Sequence, residues 1–246
     1  MSLTNENYFS PENSMKYMGV SQFKSFQKCP AAALAEVKGE YKQEKTSALL
    51  IGSFVDSSFS NELDLFKAQN AGIFLKNGGL KAEYRQAEYI IQRIERDPLF
   101  MKYIGGQPQV IMTGEVEGVP VKIKIDSYHP GKAIVDLKVM KDMADIWQDG
   151  TKKPWWEAWG YHLQAGLYQA IEGNSLPFYL VCATKEAETD IGIFKFAQST
   201  LDYAMLTIRA NIKRFDDIKK GLIEPEKCNQ CNYCKFNKVL SVIEEL

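Results

Sequence analysis

The first residues that could carry chemistry are two aspartates and a lysine on neighbouring predicted strands. Asp126 follows the run 121–125, and Asp136 and Lys138 lie one residue apart in the next β-branched run. Side chains at positions i and i+2 of a strand point to the same face. Asp136 and Lys138 therefore share a face, and Asp126 can approach Asp136 across the two strands.

Two neighbouring carboxylates repel each other unless a cation neutralises them. Their oxygens suit Mg²⁺ or Mn²⁺, which bind through one or two carboxylates, water and substrate phosphate. Such a cation can polarise a phosphodiester, while Lys138 can orient or deprotonate water and stabilise developing charge. The competing interpretation, a solvated cross-strand salt bridge, is disfavoured by the apolar neighbours Ile134 and Val135. Glu115, on the preceding predicted strand, is a further candidate acid.

A predicted helix further along the chain presents one polar and two aromatic side chains on a single face. Tyr161, Gln164 and Tyr168 lie at positions i, i+3 and i+7,. A glutamine on an otherwise apolar stripe needs a hydrogen-bond partner when it is buried. The pattern indicates either a polar site beside Gln164 or an ordinary helix face that carries two tyrosines.

Three of the five cysteines lie within seven residues, at Cys228, Cys231 and Cys234. Thiolates at this spacing serve metal binding better than packing. Three ligands leave one position open, and Cys29 in the helical N-terminal part is the natural fourth. Cys182 lies in an apolar predicted strand and is expected to be a core residue,.

The elements that must position these residues form a single predicted domain, 1–246, with three parts. Residues 1–98 predict a mainly helical N-terminal lobe, residues 99–222 a core in the order βββαββα, and residues 223–246 a cysteine-rich tail. A Trp-rich segment after the third strand is predicted as a loop. This order indicates an α/β (α+β) fold with a mixed central sheet flanked by helices.

The composition is that of an ordinary globular protein. Hydrophobic residues make up 45% and charged residues 25% of 246 residues, which excludes disorder along the whole chain or a disulfide miniprotein. A net charge of −1 excludes a globally basic nucleic-acid binder but not a local basic groove,. No apolar run is long enough to span a bilayer and no signal peptide is evident, so we expect a cytoplasmic protein without a membrane partner.

Five segments, taken in order, resemble the PD-(D/E)XK nuclease superfamily. The chain is most similar to the RecB-like branch, and within it to phage-type exonucleases such as the nuclease domain of exodeoxyribonuclease VIII. The resemblance extends over most of the chain, and the order of the segments makes it specific. The matching segments are SQFKSFQKCP at 21–30, GSFVD at 52–56, GEVEGVPVKIKID at 114–126, IVDLK at 134–138 and YHLQAGLY at 161–168.

The resemblance implies a restriction-endonuclease-like core and a Mg²⁺-dependent exonuclease that acts on DNA in recombination or repair. Asp126 and Asp136 would be metal ligands and Lys138 the catalytic lysine. Gln164 would belong to the motif that supports the site and contacts DNA. Asp56 stands where many RecB-like nucleases carry a metal-binding histidine, and its carboxylate can also ligate Mg²⁺.

The aromatic residues of the same motif, Tyr161 and Tyr168, are candidate substrate-binding residues. Cys29 with Cys228, Cys231 and Cys234 resembles the iron–sulfur staple of certain RecB-like helicase-nucleases. The spacing between the last two cysteines is tighter than in that pattern, so a 4Fe–4S cluster, Zn²⁺ and a site without metal all stay open.

The resemblance also concerns partners and setting. It implies DNA as substrate, a bacterial or phage-infected cell, and a single-strand annealing recombinase as functional partner, and it is compatible with a ring-shaped homo-oligomer. The alternative function is a binding module that has the nuclease fold and a cysteine-ligated metal and holds DNA without cutting it. The complete set of Asp126, Asp136, Lys138 and Gln164 favours the enzyme.

Overall fold

The structure, a computed structural model, describes residues 3–42, 44, 46–148, 150–240, 242–243 and 245. In this part of the chain, helices and short 3₁₀ turns precede the first strand, and no helix is long and apolar enough to cross a membrane. The helices of this half are α1 (Pro11–Lys16), α2 (Val20–Lys28), α3 (Pro30–Lys38), α4 (Ser47–Phe59), α5 (Leu63–Gln69), α6 (Gln86–Glu95) and α7 (Pro98–Ile104).

The second half contains five strands, two helices, two further strands and two further helices among the described residues. It contains β1 (Gln107–Val116), β2 (Val119–His129), β3 (Ala133–Met140), β4 (Ile146–Gln148), β5 (Thr151–Lys153), α8 (Trp155–Ala158), α9 (Tyr161–Glu172), β6 (Phe178–Thr184), β7 (Ile191–Lys195), α10 (Gln198–Lys219) and α11 (Asn232–Phe236).

Five strands form one mixed sheet in the order β1-β2-β3-β6-β7. Strands β2 and β3 are antiparallel, β3 and β6 are parallel, and β6 and β7 are antiparallel. Between β1 and β2 the chain turns at Glu117 and Gly118, both with positive φ, which is the backbone that a tight hairpin turn requires,. The predicted mixed α/β fold is confirmed.

Two predicted details of the chain path are wrong. The segment predicted as a Trp-rich loop contains the two-stranded sheet β4-β5 and the one-turn helix α8. The order βββαββα predicted for residues 99–222 omits α7, which begins at Pro98 because the Asp97 side chain accepts a hydrogen bond from the Phe100 amide and Pro98 occupies the first turn,. The first strand therefore starts at Gln107.

Contacts divide the chain into two compact units. The first comprises the described residues of 1–43, 113–122 and 206–246, and the second those of 44–112 and 123–205. This division differs from the predicted lobe, core and tail, and the arrangement as one nuclease domain stays a prediction.

The core of the second unit lies between the sheet and helices α4, α6 and α7. It is built from fully buried aliphatic side chains of these helices, including Val55, Ile90 and Ile94, against Val135 and Val181 of the sheet. The apolar stripe of period 3.6 on each helix provides one buried face. On the other side of the sheet, Gly166 allows α9 to approach the start of α10, because a Cβ there would lie 3.0 Å from the Leu201 carbonyl.

Candidate active site

Strand β3 separates a polar and an apolar set of side chains by its two-residue period. Val135 and Leu137 belong to the core that includes α4. Asp136 and Lys138 point to the other face, where the Asp136 side chain is 1% exposed and that of Lys138 25%,. The Lys138 ammonium forms an ion pair with Asp136 Oδ2. The structure thus brings together the two residues that the sequence placed on one face.

Asp126 lies where the pairing between β2 and β3 ends. The last registered pair is Ser127 with Val135. Beyond this pair, the amide of Leu137 on β3 donates to Oδ2 of Asp126 on β2 at 3.0 Å. The acceptor is therefore a side-chain oxygen instead of a backbone carbonyl of the neighbouring strand. Lys138 Nζ lies 4.0 Å from the same oxygen. The end of the strand pairing therefore sets the Asp126 carboxylate beside the lysine.

Helix α9 supplies the supporting side chains that the motif predicts. Gln164 is buried, and its Nε2 donates to Asp136 Oδ1 at 2.5 Å. The hydroxyl of Tyr168 donates to the Lys124 carbonyl at 2.9 Å. The Tyr161 ring centroid lies 6.0 Å from Lys138 Nζ. The glutamine therefore has a polar partner, which was one of the two interpretations left open by the sequence.

Asp56 of α4 completes an acidic cleft of about 280 Å³. Burial is the main cause that raises the pKa of Asp56 to about 6; the charge of Asp136 adds to the rise and that of Lys138 opposes it. The cleft is lined by Ala48, Leu49, Gly52, Ser53, Asp56, Asp126, Leu137, Lys138, Val139 and Lys185.

Burial and neighbouring charges shift the pKa values of Asp126 and Lys138 in the cleft. Burial, and then the charges of Asp136 and Asp56, hold the pKa of Asp126 well above its usual range. Burial alone would lower the pKa of Lys138, but Asp136 and Asp126 outweigh it and raise that pKa. Lys138 is therefore an ammonium throughout the physiological pH range.

The donor set fits a divalent cation. Asp136 Oδ2 is buried and has no hydrogen bond of normal geometry within the described structure, where its contact is the Lys138 ammonium. Asp126 and Asp56 add carboxylate oxygens to the same cleft. Hard oxygen ligands of this kind suit Mg²⁺ or Mn²⁺, and a divalent charge beside them would favour the ionised carboxylates.

One predicted residue, Glu115, is not placed at the cleft, and two others, Glu62 and Lys185, were not predicted from the sequence. Glu115 is exposed on β1 and belongs to the first unit, so its role as a candidate acid stays a prediction. Glu62 forms an ion pair with Lys124 at 3.0 Å next to the Tyr168 contact. Lys185 lines the cleft. Neither Glu62 nor Lys185 has a local sequence signal, because each is brought in by the packing of its element.

The first unit contains a compact group of four cysteines. Cys29 lies between α2 and α3, and the sulfur atoms of Cys29, Cys228, Cys231 and Cys234 all lie within 4.8 Å of one another. Cys29 Sγ is 3.5 Å from Cys234 Sγ, which in turn is 3.9 Å from Cys228 Sγ. The structure thus places the early cysteine beside the three late ones. Cys182 is fully buried in β6, in the second unit.

Backbone amides stabilise one of these sulfurs as a thiolate. The Cys231 amide donates to Cys228 Sγ at 3.3 Å. Hydrogen bonds from the Gln230 and Cys231 backbone lower the pKa of Cys228 to about 6, whereas burial raises the pKa of Cys29. Thiolates are the form that binds metals. The chemistry of the four sulfurs therefore fits a metal ion.

Comparison with known proteins gives the family. The PDDEXK-like domain of unknown function (DUF3799) matches residues 19–237. The chain belongs to this family and with it to the PD-(D/E)XK nuclease superfamily. It is similar to a solved crystal structure from Eubacterium rectale, described as a "Putative exonuclease", at 44% sequence identity and a TM-score of 0.94 over 100% of this chain and 97% of that one. Among functionally curated proteins none matches.

Proposed function

We propose that the protein is a divalent-metal-dependent exonuclease that hydrolyses the phosphodiester bonds of DNA. The observation that carries this proposal is the cleft in which Asp126, Asp136 and Lys138 meet, with Gln164 bonded to Asp136. Membership of the PDDEXK-like family supports phosphodiester hydrolysis, and the name of the Eubacterium rectale protein supports cleavage from an end.

Each residue of the cleft has a role that its contacts support. Asp126, Asp136 and Asp56 would hold Mg²⁺ or Mn²⁺, which when bound polarises the phosphodiester and favours hydroxide. Gln164 fixes the orientation of the Asp136 carboxylate,. Lys138, kept protonated by two carboxylates, stabilises the negative charge that develops on the phosphate and orients the attacking water. An ammonium held in this way does not act as the general base.

The biological setting follows from the resemblance to RecB-like, phage-type exonucleases. We propose a role in recombination or repair, with a single-strand annealing recombinase as functional partner and a homo-oligomer as the assembled form. Tyr161, whose ring lies near the Lys138 ammonium, would contribute to DNA binding, and the buried Tyr168 would do so by holding the strand that carries Asp126.

Cleavage of matched linear and circular duplexes tests the function. We expect Mg²⁺ to support the release of nucleotides from the linear duplex, and EDTA to abolish it. A covalently closed circle of the same sequence should stay intact, because it has no end. Binding of DNA without cleavage under any divalent metal would instead identify a non-catalytic DNA-binding module, and cutting of the circle would show an endonuclease.

For the cysteine group we propose a structural Zn²⁺ ion. Four thiolates at about 2.3 Å from one tetrahedral ion have their sulfurs about 3.8 Å apart. The sulfur distances of 3.5 and 3.9 Å agree with a single ion. In a 4Fe–4S cluster the four thiolates bind four separate irons and must lie further apart. The spacing therefore supports zinc over the cluster that the resemblance implies.

Metal analysis of anaerobically purified protein separates these alternatives. We expect a colourless protein with one zinc per chain, measured by inductively coupled plasma mass spectrometry. Brown protein with visible absorbance and four irons per chain would refute the zinc assignment. Anaerobic purification is needed because an iron–sulfur cluster lost in air would also leave a colourless protein.

A further inference from the structure

The cleft contains a second lysine that none of these roles uses. Lys185 follows directly after β6, and its amide donates to the Met140 carbonyl at 2.7 Å, continuing the parallel pairing of β3 and β6. Gln86 of α6 donates to the Lys185 carbonyl. The backbone of Lys185 is therefore fixed from two sides, and its side chain lines the cleft together with Asp126 and Lys138.

The surroundings of the two lysines differ. Lys138 is neutralised by Asp136. Lys185 Nζ donates to the Ala48 carbonyl at 3.3 Å, and no carboxylate of the described residues forms an ion pair with it. Burial lowers the pKa of Lys185. Among the described residues the hydrogen-bond partner of this half-buried cation is a carbonyl, and such a cation is stabilised when an anion arrives,.

The wall beside Lys185 is shallow and partly apolar. It is formed by the first turns of α4, where Ala48, Gly52 and Ser53 are small and Leu49 is 60% exposed. A Cβ at Gly52 would lie 3.7 Å from Val139, an ordinary contact, so packing does not require glycine there. Small side chains leave room in the cleft, and an exposed leucine next to a cation suits a nucleotide.

We propose that this part of the cleft is a nucleotide-binding subsite, in which the Lys185 ammonium contacts a DNA phosphate and Leu49 packs against the adjoining sugar or base. The inference rests on the proposed nuclease function. The carboxyl groups of Asp56 and Asp126 line the same cleft, and Lys185 supplies a positive charge beside them that attracts DNA. Lys185 binds and positions the substrate and takes no part in proton transfer.

Binding of DNA in EDTA tests the subsite without cleavage. The fluorescence anisotropy of a short linear duplex is measured over a range of salt concentrations for wild type, Lys185→Ala, Lys185→Arg and Lys102→Ala. Lys102 is an exposed lysine on α7, outside the cleft lining, so it controls for the loss of one positive charge.

We expect Lys185→Ala to raise Kd by about tenfold, as for a lost charge-assisted hydrogen bond. The slope of log K against log salt should fall by about one, since one phosphate contact is lost. Lys185→Arg should retain most of the binding, and Lys102→Ala should resemble wild type. An unchanged Kd and slope in Lys185→Ala, or an equal loss in Lys102→Ala, would overturn the proposal.

Duplexes with 5′-phosphate and 5′-hydroxyl ends distinguish the two sources of the phosphate. An effect of Lys185→Ala that is confined to the phosphorylated end indicates a terminal phosphate, and an equal effect on both indicates a backbone phosphodiester. Either result supports the subsite.

A second variant tests the room in the cleft. Gly52→Leu should raise KM for DNA because its side chain occupies space in the cleft, and the melting temperature of the variant is measured alongside to confirm that it folds. Wild-type KM in this variant would contradict the subsite.

If wild type binds DNA but does not cut it, the nuclease proposal fails while the binding comparison of Lys185 variants still stands. If wild type cuts and Lys185→Ala has wild-type KM and Kd, the subsite alone fails.

Discussion

The acidic cleft and the cysteine group show two ways of placing side chains that suit a metal ion. In the cleft, three contacts hold the carboxylates near one another. Gln164 donates to Asp136, the Leu137 amide donates to Asp126, and the Lys138 ammonium pairs with Asp136. In the cysteine group, backbone amides compensate the one sulfur whose pKa is lowered, Cys228, and the group packs against Ala31 and Ala32. The cleft stays open beside Lys138, whereas Cys29 and Cys234 are buried.

This contrast teaches what each arrangement is suited to do. An open cleft lined by both carboxylates and lysines can receive a cation and an anionic substrate, which catalysis requires,. A closed group of thiolates has no open position for a substrate and joins chain segments about 200 residues apart. We therefore expect loss of metal from the cleft to remove activity, and loss of metal from the cysteines to remove stability.

The largest expected effect concerns the cysteine group. Cys234→Ser should lower the free energy of unfolding by about 4 kcal/mol, the stabilisation given by a ligand present at about a thousand times its Kd. The measurement is thermal or urea unfolding of the zinc-loaded protein. Cys182→Ser is the matched control, since Cys182 is fully buried outside this group and should cost less. Equal losses in the two variants would remove the distinction between the regions.

In the cleft, Lys138→Ala should reduce the rate of cleavage. Loss of its charge stabilisation should reduce kcat by about 10²–10³-fold, as for removal of one oxyanion donor. Single-turnover cleavage of a linear duplex measures the rate. Lys67→Ala, at an exposed position on α5, is the control for charge. A wild-type rate in Lys138→Ala would show that the assigned lysine is wrong.

Gln164→Leu should have an intermediate effect. It leaves Asp136 Oδ1 buried without its donor, and changes of this kind reduce metal affinity or activity by about 10–100-fold,. Titration of Mn²⁺ followed by electron paramagnetic resonance measures the affinity. If Mn²⁺ binds Gln164→Leu as tightly as wild type and kcat is unchanged, the glutamine does not orient the carboxylate.

The smallest expected effect is that of Tyr168→Phe. It removes the hydrogen bond to the Lys124 carbonyl, which contributes about 0.5–1.5 kcal/mol,. We expect a small decrease in stability and at most a tenfold decrease in kcat/KM. A loss of activity as large as that of Lys138→Ala would show that Tyr168 has a direct role in the reaction.

The sequence predicts those parts of the site that depend on local periodicity. The two-residue period of β3 places Asp136 and Lys138 together, and the helical period of α9 directs Gln164 and Tyr168 to one side. Tertiary packing decides the rest. Lys185 enters the cleft because β6 pairs in parallel with β3, which no local pattern shows.

The same limit explains the errors in the chain path. The strands β4 and β5 have only three residues each, and their alternation is too short to be told from a loop,. The position of Cys29 could be predicted although it is far from the other cysteines in sequence. Three cysteines in the tail leave a metal site one ligand short, and Cys29 lies beside them in the structure.

The most direct test of the central claim is a crystal soaked with Mn²⁺ and measured at the manganese absorption edge. We predict an anomalous peak in the cleft about 2.1–2.2 Å from carboxylate oxygens of both Asp126 and Asp136, with the amide of Gln164 still bonded to Asp136. A protein that is fully active in Mn²⁺ but whose crystals show manganese elsewhere, with the two aspartates free of it, would contradict the assignment of this cleft as the active site.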